Sequence, residues 1–280
     1  MKLLIGVFCV LSGIVAFTTL KHGKTSEEVL NERPKAATSS SGNVPVLVEL
    51  FTSEGCSSCP PADDLLSRLV TDEAIPGVEV IALGEHVDYW NNLGWTDPYS
   101  KADFSQRQRG YAEAFNLESV YTPQMIVDGH EEFVGGNWNR ARTAIVSAAK
   151  NKKGRIDLTV TENADLDYKP AVIRLTVQVR DLPGRSSDED LEVLLAITEY
   201  NLQTQVSRGE NSGRYLRHSA VVRELNVLGQ IAANDKGFVI EKPIMISPDW
   251  RREKLHAIAF VQERRSHRVI AVGELPLKPK

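Results

Sequence analysis

Val46-Leu-Val-Glu-Leu-Phe-Thr-Ser-Glu-Gly-Cys56-Ser-Ser-Cys59-Pro-Pro-Ala-Asp-Asp-Leu-Leu-Ser-Arg-Leu69 begins with a nearly apolar run of β-formers. That is the pattern of a strand buried on both faces. Ala62, Leu65, Leu66, Leu69 and Val70 then recur at helical spacing, one apolar stripe on an amphipathic helix. The cysteine pair therefore stands where a buried strand ends and a helix begins, a placement that favours redox chemistry. The spacing puts both sulfurs in one turn, near enough to bridge. Unpaired N–H groups and partial positive charge at the helix start stabilise a thiolate on the first cysteine. Cys56 is the expected nucleophile and Cys59 the resolving thiol. Pro60 and Pro61 fall in the first helical turn, where a missing N–H matters least. Competing readings remain. A structural disulfide across so short a loop contributes little by loop closure. A structural zinc site needs four ligands, and there is no second cysteine pair. A copper or zinc site on Cys56, Cys59 and His86 or His130 is chemically open.

Downstream, residues 78–83 read as a second buried strand behind a Pro76-Gly77 turn. Phe104, Tyr111 and Phe115 mark a helix entered near Asp103. Residues 124–127 and 132–134 flank Asp128-Gly129, a hairpin signal, and 141–150 read as a closing helix. After Gly154 the texture changes to short β-rich runs at 158–160, 173–179, 192–198, 220–225, 238–240, 257–261 and 269–272. With Gly, Pro, Asn and Asp between them, these runs predict an all-β sandwich, bounded from the first half at 151–154.

The apolar run from Leu3 to Phe17 behind Lys2 has the length of a signal-peptide core, or with Leu20 of an uncleaved anchor. Cys9, in the middle of it, reads as a small apolar residue of a targeting segment. Residues 21–43 are polar and without helical period, the composition of a flexible tether. Export leaves Cys56 and Cys59 as the cysteines of the folded body, in a compartment where disulfides persist. The 280 residues are 42% hydrophobic and 25% charged, which argues against disorder and a multi-span membrane protein. A net charge of −4 gives no basic excess to suggest nucleic acid as the main partner.

Residues 46–69 resemble the first strand, active-site turn and helix of the thioredoxin superfamily. Tyr121-Thr-Pro-Gln-Met125 resembles its cis-proline segment. The resemblance implies that Pro123 is cis and packs beside the sulfurs, and that Thr122 offers backbone hydrogen bonds to a substrate chain. More narrowly, residues 49–63, His86-Val-Asp-Tyr-Trp90, Gly94-Trp95 and 121–125 resemble an uncharacterised bacterial family of secreted thioredoxin-like proteins. The similarity extends weakly through Arg208-Gly-Glu-Asn-Ser-Gly-Arg214 and His218, and implies redox activity without naming a substrate. Thioredoxins carry a buried acid close to the place of Glu49, which suits Glu49 to accept the proton of Cys59.

The segment from His86 to Asp97 should lie on the same rim as the CxxC turn. There His86 tunes the cysteines or binds metal, and Trp90 and Trp95 wall a substrate groove; the alternative is that they only pack the loop. Arg107, Gln108 and Arg109 read as a solvated helix face. Arg208, Glu210, Asn211, Arg214 and His218 read as braces of a turn or domain interface.

The expectation is thus an α/β thioredoxin-like domain over 44–150 and an immunoglobulin-like sandwich over 155–280, behind a targeting segment (1–20) and a tether (21–43). Its function would be extracytoplasmic thiol–disulfide exchange on protein substrates, with an unidentified redox partner and no cofactor. The location would be periplasmic or secreted, or anchored to the inner membrane. Metal handling through Cys56, Cys59 and His86, or non-catalytic binding, are the alternatives.

Overall fold

The computed structural model describes residues 42–277 except 72–74, 163–170, 185–188, 233–234 and 236. The expected signal peptide or anchor and nearly all of the tether lie outside the described residues.

Strand β1 (Val44–Thr52) runs into the CxxC turn and helix α1 (Pro60–Thr71), and β2 (Val78–His86) returns parallel to β1. Alternation along β1 sends Val46, Val48 and Leu50 to one face, where they pack with Ala62, Leu65, Leu66 and Leu69 of α1. Leu47 and Phe51 face the other way, towards α2 (Ala102–Ala114), through Phe104 and Tyr111 respectively. Strands β3 (Gln124–Val127) and β4 (Glu131–Val134) form a hairpin antiparallel to β1. Its turn uses Asp128 and Gly129 at φ of 49° and 61°, the backbone that tight hairpins require. Helix α3 (Trp138–Ala148), capped by the Asn137 side chain on the Arg140 N–H, joins α1 on the same face.

The second half contributes β5 (Arg155–Glu162), β6 (Ala171–Arg180), β7 (Leu191–Glu199), β8 (Leu202–Gln205), β9 (Tyr215–His218), β10 (Val221–Ile231), β11 (Phe238–Ile246), β12 (Leu255–Glu263) and β13 (Val269–Pro276). The expected pair of folds, thioredoxin-like then immunoglobulin-like, is not what forms. One mixed eight-stranded sheet runs β13-β12-β7-β10-β2-β1-β3-β4 through both halves. Separate three-stranded (β11-β6-β5) and two-stranded (β8-β9) sheets accompany it.

Two physical features account for the merger. First, β7 and β12 are buried almost throughout, on both faces, so each face needs its own cover. Leu158, Ile173, Leu175 and Val177 of the three-stranded sheet cover one, and Leu47, Ile81, Leu83 and Phe104 of the first half cover the other. A two-sheet sandwich would leave that second face in water. Secondly, β2 meets β10 at Gly84: its N–H donates to Ala220 O at 2.8 Å, and a Cβ there would lie 3.1 Å from Ser219 O. A side chain at 84 would hold the two backbones apart.

Candidate functional site

Cys56 and Cys59 form a disulfide with Cα atoms 5.4 Å apart, at the mouth of α1. The turn closes on itself: the Cys56 N–H donates to Ser53 O, and the Ala62 and Asp63 N–H groups both donate to Cys59 O. Both cysteines are fully buried, whereas Ser57 and Ser58 between them are exposed.

Neighbouring segments bury the pair. Gly55 lets Trp90 approach, since a Cβ at 55 would lie 3.0 Å from Trp90 Cβ. The loop joining β8 to β9 covers the turn from the other half of the chain. Asn211, itself fully buried, donates through Nδ2 to Glu54 O at 2.8 Å and Cys56 O at 2.9 Å. Arg214 Nη1 donates to Asn211 Oδ1, and the Ser57 N–H donates to Glu210 Oε2 at 3.0 Å. Gly209 packs on Trp95, where a Cβ would come within 3.0 Å of Trp95 Cβ. Of the residues read as braces from sequence, Glu210, Asn211 and Arg214 thus clamp the CxxC turn itself.

The Thr122–Pro123 bond is cis and Pro123 is buried. A Cβ at Gly135 would stand 2.9 Å from Ala62 Cβ and 3.3 Å from Pro123 Cβ, so the proline and the first turn of α1 meet across one glycine. The Thr122 hydroxyl accepts from Trp90 Nε1 at 2.9 Å, tying the proline segment to the loop after β2. His86 ends β2 beside Thr52 in register, which places residues 86–97 on the rim of the turn. His86 itself is engaged: Nδ1 lies 2.7 Å from Asp97 Oδ2, and the same oxygen accepts the Glu54 N–H. Trp95 Nε1 donates to Glu54 Oε2 at 2.8 Å.

Glu49 is buried but shares the β1 face of Leu47 and Phe51, turned away from α1. Its carboxylate takes hydrogen bonds from Tyr111 Oη at 2.5 Å and Arg107 Nε at 2.8 Å. Arg107 and Gln108, read from sequence as a solvated face, are drawn inward; Arg109 alone of the three is exposed. The cause is electrostatic, because Glu49 and Glu85 are both fully buried and need a cation between them. Burial pushes the Glu85 carboxyl well above its ordinary value, against the pull of Arg107. Gln108 donates to Tyr121 O and Gln124 Oε1 beneath the proline segment.

A second buried charged group lies beside the cysteines: Glu54, Asp63 and His218. His218 Nε2 is 3.1 Å from Glu54 Oε1, and Nδ1 is 3.8 Å from Asp63 Oδ1, an ion-pair distance too long for a hydrogen bond. Burial alone would lower the His218 pKa, but Asp63 and Glu54 outweigh it and hold the ring up at about 10. The imidazolium therefore persists at neutral pH. The His86 ring stands edge-on to it, with centroids 4.7 Å apart. Asp97 is held below its usual range because His86 and the Glu54 and Tyr99 N–H groups overcome the effect of burial. Glu54 was quoted in the sequence motif without a role, and His218 lies 164 positions from it. The available signal was an acid on either side of the cysteine pair, Glu54 and Asp63.

Among the described residues, no group of three or more His, Cys, Asp or Glu is arranged to hold a metal ion.

Fold and site define a mixed-sheet protein with a closed, covered CxxC pair at a strand–helix junction. The chain belongs to the family described as Protein of unknown function (DUF1223), which matches residues 47–262. Among solved structures, it is similar to protein AGR_C_4864 from Agrobacterium tumefaciens, at 23% identity and a TM-score of 0.59 over 85% of this chain and 96% of that one. HBP35 of Porphyromonas gingivalis is similar at 18% identity and a TM-score of 0.63, over 85% of this chain and 76% of that one. At these identities the likeness is one of fold. No curated protein matches the chain.

Proposed function

We propose that this protein is an extracytoplasmic thiol–disulfide oxidoreductase acting on protein substrates. The observation that carries the reading is the Cys56–Cys59 disulfide at the start of α1, with a cis proline against the same helical turn. What is carried over from the thioredoxin superfamily is the chemistry of its redox centre, not its fold. In the reduced protein the Cys56 thiolate attacks a client disulfide, forms a mixed disulfide and expels one client sulfur as a thiolate. Cys59 then attacks Cys56 Sγ, the protein disulfide re-forms and the second client sulfur leaves. The reverse sequence oxidises a client dithiol.

Cys59 must lose its proton to attack. Glu49 is committed to Arg107 and Tyr111 on the face turned away from α1, whereas Asp63 lies one helical turn on from Cys59, so the Glu54–His218–Asp63 group is the proposed acceptor. Trp90 and Trp95 shape the rim, and Thr122 and Pro123 align the client chain. Metal handling has less support, because His86 is bonded to Asp97 and the sulfurs to each other.

The test is a Cys59→Ser variant of the full chain, which cannot resolve its mixed disulfide. Expressed in cells and alkylated before lysis, it should carry disulfide-linked client proteins through Cys56 that vanish on reduction. Traps that stay empty, in a variant folded as the wild type, would refute exchange.

A further inference from the structure

The loop between β8 and β9 reaches the CxxC turn from more than 150 positions away and bonds it on the residues around Cys56. With that loop in place both cysteines are inaccessible. We propose that the β8–β9 hairpin is a redox-operated cap, latched on the turn while Cys56–Cys59 is a disulfide and released when the pair is reduced. The inference rests on the reading of Cys56 as the thiolate-forming member of an exchanging pair.

The chemistry turns on one N–H group. In the disulfide both sulfurs are neutral, and the Ser57 N–H, next along the chain from Cys56, is free to bind the Glu210 carboxylate. Hydrogen bonds from the Ser57 side chain and from its N–H together hold the exposed Glu210 carboxyl below its ordinary value, as an anion. A dithiol reductant passes two electrons to the pair: the S–S bond breaks, the reductant closes its own disulfide, and its two protons pass to the cysteine sulfurs. Cys56 then releases its proton to solvent, since the helix start favours the thiolate. Two anions now compete for the same few N–H groups of one turn. Like charges on one turn repel, and Glu210 is the one on an exposed side chain. Its departure leaves the latch to Asn211, whose bonds end on Glu54 O and Cys56 O, on the very turn that reduction rearranges. Gly209 and Gly213, at φ of 76° and 82°, give the loop the backbone to swing without side-chain strain. The opened cap uncovers Cys56 to a client, and re-formation of the disulfide restores the latch.

The measurement is amide hydrogen exchange on the full chain, oxidised and after dithiothreitol. Ser57 is the reporter, because its N–H is the latch itself, bonded across to Glu210 Oε2. Reduction should accelerate it about tenfold or more while β1 and β2 stay protected. In Glu210→Gln, where repulsion is absent, the same step should change it by less than about threefold. The Cys59→Ser variant, with Cys56 free and no reductant added, should show the accelerated pattern directly, which covers the case in which the buried bond resists dithiothreitol. Equal exchange at Ser57 in the oxidised and reduced protein and in Cys59→Ser overturns the cap. The two readings fail separately. Captured clients with a hairpin that never loosens would keep exchange and remove the switch. An opening hairpin with empty traps would keep the switch and remove exchange.

Discussion

His218 keeps its charge because Glu54 and Asp63 stand on either side of it, and that sets a direction for stability against pH. Its folded pKa of about 10 lies above the ordinary 6.5, so its contribution is fully present below pH 6.5 and is lost as pH rises through 10. The change over that window is on the order of 5 kcal/mol. Glu85 acts in the same direction: burial raises its carboxyl above the unfolded value of 4.5, so rising pH favours unfolding. The urea midpoint should therefore fall between pH 6.5 and 10, and His218→Gln should flatten that slope; a midpoint that is constant or rises would contradict the assignment. Gly135 is the second sensitive residue. An alanine Cβ would meet Ala62 Cβ at 2.9 Å, Leu50 Cδ1 at 3.2 Å and Pro123 Cβ at 3.3 Å. Gly135→Ala should cost about 1–3 kcal/mol in a denaturant titration, through strain at the proline–α1 contact. At this scale Cys56 and Cys59 were legible because their chemistry is local, three residues apart on one turn. His218 was not assigned a chemical role, because its partners come from another element.

Helix α2 shows how a pattern at the scale of the element can mislead. Its charged Arg107 and polar Gln108 read as a water-facing stripe, yet the buried Glu49 of β1 and Glu85 of β2 draw the arginine inward. Arg107→Met should leave Glu49 and Glu85 uncompensated and destabilise by about 3–5 kcal/mol. Thermal melts check this; a loss below about 1 kcal/mol would mean that the buried carboxyls do not depend on the arginine. The hairpin of β8 and β9 is the element that the β-run reading missed. Leu-Gln-Thr-Gln and Tyr-Leu-Arg-His are short, half-polar and lack a run of β-branched residues, so nothing local distinguishes them from a loop. They become strands because Leu202 and Leu216 are buried against the rest of the molecule.

Across the whole molecule, Leu47, Ile81, Leu83 and Phe104 of the first half share one core with Leu194, Ala196, Ile258 and Phe260 of the second. Halves that share a core should melt together: calorimetry should record one transition with equal calorimetric and van't Hoff enthalpies, and two resolved transitions would contradict the shared core. Residues 46–69 by themselves determined the strand, the helix and the place of the sulfur pair, because periodicity and turn chemistry act over a few residues. Tertiary structure alone decided that β2 would accept β10 at Gly84, that Glu49 would be spent on Arg107, and that a distant loop would close over Cys56. Those outcomes depend on which apolar faces and which buried charges find each other in space, and spacing along a single chain does not encode that pairing.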